Sequence, residues 1–161
     1  MCEVTQICFV CLGNIVRSPL AENLFLHHAR LAGVSDRFEV DSAGTGAWHV
    51  GEPPDARMRR VAASHGLTYT GRARQIRPDD LEHFDLIVAM DRENLEDLSR
   101  LARSPDADHK IRLLREFDPF GGPQSGVPDP YYGGIDGFEE VYQIVERSTQ
   151  KLLDALLAGE L

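Results

Sequence analysis

Residues 4–19 read VTQICFVCLGNIVRSP, and this stretch decides the fold that we expect for the chain. Its first part, residues 4–10, is a short apolar run rich in residues that favour strands. A helical pattern opens at Ser18 and continues to about Ala32, with Gly33 placed as its stop. The stretch therefore predicts a strand, a tight loop and a helix, in that order.

The rest of the chain continues this alternation. Further strands are predicted at residues 38–41, 86–90 and 110–114, and further helices at 53–66, after Asp91 and at 138–157. Turns are expected at residues 42–46, and residues 116–135, rich in glycine and proline, are expected to form a long loop. Strands that alternate with helices imply parallel βαβ units. We therefore predict an α/β fold, a single doubly wound domain over residues 1–161 with a four-stranded parallel sheet flanked by helices.

The net charge of the chain and the positions of its cysteines narrow the classes of function that we expect. The formal net charge of −9 over 161 residues argues against a nucleic-acid partner, which would meet a basic face. Three cysteines near the start of the chain, Cys2, Cys8 and Cys11, favour reduced thiols and a cytoplasmic setting. The first residues show no targeting segment, and their apolar run is too short for a membrane. Secretion without a recognisable signal remains open.

The loop that follows the first strand has the composition of an anion site. A loop between a strand and a helix aims backbone N–H groups at one point, and the helix N-terminus adds positive potential. Gly13 permits close backbone approach, and Asn14 tolerates a left-handed conformation. Arg17 can donate two hydrogen bonds to two phosphate oxygens. Cys11, at the base of this loop, is expected to be partly or largely thiolate at neutral pH and therefore nucleophilic, and Ser18 could donate to its sulfur.

A cysteine and an arginine at this spacing are weak evidence alone, because such pairs recur by chance. The embedded Gly-Asn, the following Ser-Pro and the strand–loop–helix context make the site specific. Residues 10–22 (VCLGNIVRSPLAE) resemble the signature of the low-molecular-weight protein tyrosine phosphatases, as do DSAGT at 41–45, AMD at 89–91 and DPYYG at 129–133. The resemblance spans nearly the whole chain. It implies a hydrolase without metal or cofactor that acts on phosphotyrosine and small aryl phosphates through a cysteinyl-phosphate intermediate.

Site residues follow from the chemistry and the resemblance together. Cys11 is expected to be the nucleophile, Arg17 the phosphate clamp and Asp129 the general acid for the phenolate leaving group. Ser42 is expected to brace Asn14, as its family counterpart does. The resemblance implies that the substrate, or a similar anion such as inorganic phosphate, contacts Leu12, Gly13, Asn14, Ile15, Val16, Ser18, Trp48, Tyr131 and Tyr132.

Some of these residues also permit ordinary structural roles. Asp129-Pro130 could simply begin a turn. The aromatic side chains Trp48, Tyr131 and Tyr132 could either wall a flat phenyl ring or pack in the core. The resemblance favours positions at the mouth of the site for Trp48 and Tyr131.

The sequence departs from the family pattern at two positions. Val16 stands where many members carry a second cysteine that protects the nucleophile as a disulfide. Gly71 stands where some members have a histidine that supports the loop asparagine. The first departure puts redox protection in doubt, and the second affects only the fine adjustment of the loop.

Other functions fit less well. Cys8 and Cys11 suggest a thioredoxin-like motif, but within a strand they would point to opposite faces about 10 Å apart, beyond disulfide reach. A zinc site is not expected, because the sequence has no second pair of ligands at a suitable spacing. An arsenate reductase of related fold would need further cysteines near mid-chain, and the sequence has none after Cys11. A phosphoarginine phosphatase of the same fold, or a phosphoprotein-binding module without catalysis, stays as the alternative. The substrate we expect is a phosphotyrosine-containing protein, with no membrane partner.

Overall fold

Four parallel strands form the centre of the computed structural model, which describes residues 3–122 and 125–161. They are β1 (Thr5–Cys11), β2 (Phe38–Gly44), β3 (Leu86–Ala89) and β4 (Ile111–Leu113), arranged in the order β2-β1-β3-β4. Strand β2 lies on one side of β1 and β3 lies on the other, so the direction in which strands are added reverses at β1. The switch point of the sheet is therefore at the carboxyl end of β1. This is where ligands bind in open α/β sheets.

In the part of the chain that the structure describes, six helices connect and cover the strands. They are α1 (Arg17–Leu31), α2 (Ala56–Ser64), α3 (Pro78–His83), α4 (Arg92–Leu101), α5 (Pro105–His109) and α6 (Ile135–Leu157). Two 3₁₀ turns, Ser35–Arg37 and Leu114–Phe117, precede β2 and follow β4. No helix within residues 3–122 and 125–161 combines the length and the apolar character that a membrane crossing requires.

Helices cover both faces of the sheet, which confirms the predicted doubly wound architecture. On one face, Ile7 and Phe9 of β1 pack in a cluster that includes Leu24 of α1 and Phe138 of α6. The other face of β1 packs in a second cluster with side chains from α3, α4 and α5. Cys11 belongs to the first cluster and Cys8 to the second, so the two thiols lie on opposite faces of the sheet. Cys2 lies outside the described residues.

Several predicted boundaries were wrong. Strand β2 does not end at Asp41 but continues through the expected turn to Gly44, because it pairs with β1 along its whole length up to Cys11. Helix α2 begins at Ala56 instead of residue 53, with Asp55 as its N-cap. Helix α6 begins at Ile135, three residues before the predicted start. The short helices α3 and α5 were not predicted, and each begins with a proline in its first turn.

Candidate active site

Cys11 is the last residue of β1 and lies under the loop that leads into α1. Its side chain is almost fully buried, with a residue exposure of 2%. The sulfur is 3.0 Å from Ser18 Oγ and accepts a hydrogen bond from the backbone N–H of Asn14 at 3.3 Å. Cys11 Sγ therefore lies within hydrogen-bonding distance of both a backbone N–H and a hydroxyl group.

The left-handed backbone of Asn14 makes this tight loop possible. Its φ is +57°, and among non-glycine residues of the described chain it is alone in having a positive φ. The side chain amide donates to Ser18 Oγ at 2.8 Å and to Ser42 Oγ at 3.0 Å, and its oxygen accepts from the backbone N–H of Arg74 at 2.9 Å. Contacts from α1, β2 and a distant loop therefore hold Asn14 in a conformation that only a few residue types tolerate.

Close packing of β2 also supports the loop. Gly44 lies so near that a Cβ at this position would be 2.8 Å from the carbonyl oxygen of Leu12. The next two residues bind the loop directly, since the Thr45 N–H donates to the Cys11 carbonyl and the Gly46 N–H donates to the Leu12 carbonyl, each at 2.9 Å. A side chain at Gly44 would therefore displace the loop that carries Cys11.

Glu22 extends this network, and the sequence analysis gave it no role. Ser42 donates its hydroxyl hydrogen to Glu22 Oε1 at 2.6 Å while it accepts from Asn14. Burial raises the pKa of Glu22 to about 7, and the hydrogen bond from Ser42 only partly offsets this effect. Glu22 lies four residues after Ser18 on α1, so helical periodicity placed it on the same side of the helix.

Arg17 lies at the start of α1 with its guanidinium buried and held from several sides. Nη1 donates to Asp91 Oδ2 at 2.6 Å and to the carbonyl of Val127 at 3.0 Å, and Nη2 is 3.5 Å from Asp129 Oδ2. Burial alone would lower the pKa of Arg17, but the nearby charges of Cys11, Asp91 and Asp129 outweigh burial and raise it. The guanidinium therefore remains a fixed cation beside Cys11.

Asp129 reaches the same place from the segment before α6. Its carboxylate accepts a hydrogen bond from the backbone N–H of Tyr131 at 3.1 Å, which forms the turn expected of Asp-Pro. The side chain is 40% exposed, so Oδ2 faces Arg17 without being closed off from solvent. A carboxyl group in this position could exchange protons with water and with a leaving group.

These side chains share one cavity of about 370 Å³. Its lining residues are Cys11, Leu12, Gly13, Ile15, Val16, Arg17, Trp48, His49, Asp129, Tyr131 and Tyr132. Its aromatic rim includes Tyr131, which packs edge-on against Tyr132 with ring centroids 5.0 Å apart and lies 5.6 Å from the His49 ring. Trp48 is 73% exposed and Tyr132 97% exposed, so neither residue belongs to the core.

The cavity differs from the predicted contact set in two respects. Asn14 and Ser18 do not line it, because they are buried behind the loop, where their side chains brace the loop and the sulfur. His49 does line the cavity, although the sequence analysis did not select it. The sequence did contain a signal for this role, because His49 directly follows Trp48, which was expected at the mouth of the site. Asp91, after which a helix was predicted, caps α4 and also binds Arg17.

Comparison with known proteins agrees with this geometry. The family description "Low molecular weight phosphotyrosine protein phosphatase" matches residues 6–160. The chain belongs to this family. A low molecular weight protein-tyrosine-phosphatase of Streptomyces coelicolor is 47% identical over 152 residues, covering 94% of this chain and 93% of that protein. A low molecular weight phosphotyrosine protein phosphatase of Gallus gallus is 40% identical over 153 residues, covering 94% and 96%.

A solved protein tyrosine phosphatase has the same fold. The crystal structure of a protein tyrosine phosphatase from Entamoeba histolytica, with Hepes in its active site, matches with a TM-score of 0.93 and 36% identity. The match covers 98% of this chain and 99% of that one. Family membership therefore extends from the sequence to the arrangement of the whole fold.

Proposed function

We propose that this protein hydrolyses phosphotyrosine in proteins, and small aryl phosphates, with Cys11 as nucleophile, Arg17 as phosphate clamp and Asp129 as general acid. The observation that carries the proposal is that these three side chains line one cavity with an aromatic rim. Family membership supports the same reaction. Phosphate recognition by itself would require neither a thiol nor an acid, so their presence favours catalysis over binding alone.

The first step transfers the phosphoryl group to the enzyme. The Cys11 thiolate forms a bond to phosphorus while the bond from phosphorus to the phenolic oxygen breaks. Asp129 gives its proton to that oxygen, so that tyrosine leaves as a neutral phenol. Arg17 would bind two oxygens of the transferring group and stabilise their charge. The product of this step is a cysteinyl phosphate and an ionised Asp129.

The second step restores the enzyme. Asp129 accepts a proton from a water molecule, the water oxygen bonds to phosphorus, and the bond from sulfur to phosphorus breaks. The electron pair returns to Cys11 as a thiolate, and inorganic phosphate leaves. Ser18 Oγ, 3.0 Å from the sulfur, and the Asn14 N–H would stabilise the departing thiolate.

Substrate choice would depend on the rim of the cavity. Trp48, Tyr131 and Tyr132 present flat apolar surfaces that suit an aromatic ring. A phosphotyrosine is long enough to place its phosphate on the loop while its ring passes these side chains. A phosphoserine is shorter and offers no ring, so it would gain less from the rim.

The cellular setting belongs to the same proposal. A reducing compartment such as the cytoplasm would keep the Cys11 thiol available for reaction. The net charge of −9 favours a compact anion site over an extended nucleic-acid surface. Inorganic phosphate and similar anions would compete with the substrate for the loop.

Hydrolysis without added metal tests the proposal. We expect turnover of p-nitrophenyl phosphate in the presence of a chelator, and no turnover by Cys11→Ser. In a peptide panel, kcat/KM for phosphotyrosine should exceed that for phosphoserine by about 100-fold or more, an effect of the size expected for a rim that contributes about 3 kcal/mol. Preference for a phosphoarginine peptide would support the alternative activity, and phosphopeptide binding without turnover would support a binding module.

A further inference from the structure

A second charged cluster lies outside the cavity, centred on Asp118. Its carboxylate is fully buried and receives Arg147 Nε at 2.7 Å, Arg147 Nη2 at 3.1 Å and Arg115 Nε at 3.0 Å. The backbone N–H of Phe120 donates to it at 2.9 Å. Burial alone would raise the pKa of Asp118, but these hydrogen bonds outweigh burial and hold the pKa below its ordinary value. We refer to Asp118, Arg115 and Arg147 as the Asp118 clasp.

The clasp joins elements that are far apart in the sequence. Arg147 belongs to α6, and Arg115 belongs to the 3₁₀ turn after β4. Arg115 also donates through Nη1 to the carbonyl of Gly126 at 3.0 Å. A buried carboxylate thereby fixes the guanidinium that in turn holds Gly126. A charge so deeply buried is stable only while its partners remain in place.

The segment that begins at Gly126 leads directly into the cavity. The N–H of Val127 donates to the Met90 carbonyl at 2.7 Å, and the Val127 carbonyl accepts from Arg17 at 3.0 Å. Gly126 itself lies close against Asp91, where an added Cβ would be 2.8 Å from the Asp91 Cβ. Asp129 follows two residues after Val127. The contacts therefore run without a gap from Asp118 to the clamp and to the acid.

We propose that Asp118 and Arg115 are positioning residues for the reaction, because they hold the segment from Gly126 to Asp129 and thereby place the general acid, while Asp91 still holds Arg17. This inference rests on the proposed function. If the clasp loosens, the general acid should be misplaced while the nucleophilic loop, which is braced by Asn14 and Ser42, remains intact. A small displacement of a catalytic group is enough to reduce the rate by about 10- to 100-fold.

Dependence on the leaving group separates this role from a merely structural one. Arg115→Gln removes the link to Gly126 but leaves Asp118 paired with Arg147. Asp118→Asn removes the central charge with little change in shape. For each variant, kcat/KM, which reports the step that expels the phenol, would be measured with phenyl phosphate, which needs a proton on its leaving oxygen, and with an aryl phosphate whose phenol is strongly acidic. Folded fraction and Tm would be measured alongside.

We expect kcat/KM of Arg115→Gln to fall by about 10-fold or more with phenyl phosphate and by less than 3-fold with the acidic leaving group. Asp118→Asn should show the same pattern, and Arg115→Gln alone decides if Asp118→Asn does not fold. The control is Glu116→Gln, which breaks a surface pair with Arg112 in the same turn and should match the wild type. Equal losses with both substrates, or no loss in the folded variant, would overturn the inference. A wild type without turnover would instead contradict the proposed function on which it rests.

Discussion

Asp91 divides its two carboxylate oxygens between the active-site arginine and a helix. Oδ2 accepts from Arg17 Nη1 at 2.6 Å, and Oδ1 accepts from the backbone N–H of Asn94 at 2.8 Å, where it caps α4. The guanidinium is thus oriented by a rigid helix start that follows β3. A phosphate that binds at the loop would therefore find the guanidinium of Arg17 already oriented.

Two substitutions at Asp91 test this orientation. Asp91→Asn has a single acceptor oxygen, which can keep the cap of α4 while its NH2 group faces Arg17, so we expect kcat/KM to fall by about 10-fold with little loss of stability. Asp91→Ala removes both contacts. We expect a loss of about 10-fold or more in kcat/KM, from loss of the preorganised clamp, together with about 1 kcal/mol of stability from the missing cap. Steady-state kinetics and thermal unfolding measure the two effects, and a folded Asp91→Ala variant with the kcat/KM of the wild type would show that Asp91 does not orient Arg17.

Removal of the acid should depend on the leaving group. Asp129→Ala is expected to slow phenyl phosphate hydrolysis by about 10²- to 10⁴-fold, the usual range for a lost general acid. The penalty should shrink as the phenol becomes more acidic, because such a leaving group needs no proton. The dependence of kcat/KM on the leaving group across a series of substituted phenyl phosphates measures this slope, because kcat/KM reports the first step alone. A uniform loss across the series would mean that Asp129 acts only on structure.

The sequence predicted the local parts of this site well. Strand, loop and helix over residues 4–19 follow from short-range pattern, and the left-handed Asn14 follows from the residue type at a tight turn. The order of strands and helices was sufficient for the doubly wound fold. These features depend on neighbours within a few residues, which a single sequence contains.

The long-range contacts of the site could not be predicted from the sequence. The pairing of Arg17 with Asp91 spans 74 positions, and the N–H donated by Arg74 to Asn14 spans 60. Neither residue type nor periodicity marks such partners. The short helices Pro78–His83 and Pro105–His109 hold too few turns for an amphipathic pattern to appear. The extra length of β2 came from pairing with β1, which is a tertiary effect.

The partly buried Glu22 should make stability depend on pH. Its pKa is raised from 4.5 to about 7, so between these values the folded protein holds a proton that the unfolded chain has released. The stabilising contribution is complete below about pH 4.5 and is lost as the pH rises to about 7. Glu22→Gln cannot ionise and lacks this change.

Unfolding in urea across this range measures the effect. The free energy of unfolding of the wild type, taken relative to Glu22→Gln, should decrease from pH 4.5 to 7, by up to about 3 kcal/mol for a shift of this size. Ser42→Ala serves as a control, because it removes the hydrogen bond to Glu22 but leaves the carboxyl group to titrate. Parallel pH curves for the wild type and Glu22→Gln would contradict the prediction.

Oxidation should inactivate the enzyme with limited recovery. Val16 lines the cavity beside Cys11 and offers no sulfur, while Cys8 lies on the opposite face of the sheet. We expect peroxide to convert Cys11 to sulfenic acid and then to sulfinic acid, so that recovery by thiols declines as exposure lengthens.

Mass spectrometry of the Cys11 peptide after graded peroxide measures this progression. Val16→Cys is the matched variant, and it should form a disulfide with Cys11 and recover fully on reduction. The expectation fails if the unmodified protein forms a disulfide between Cys11 and either other cysteine and regains full activity.

The most direct test of the central claim is to trap the phosphoryl group on the enzyme. The wild type and Asp129→Ala would be mixed with a radiolabelled aryl phosphate and quenched in milliseconds, and the labelled peptide would be mapped. We predict a burst of phenol equal to the enzyme present, with the label on Cys11 as a thiophosphate ester, and neither burst nor label with Cys11→Ser. Normal turnover without any label, or a label on another residue, would contradict the account.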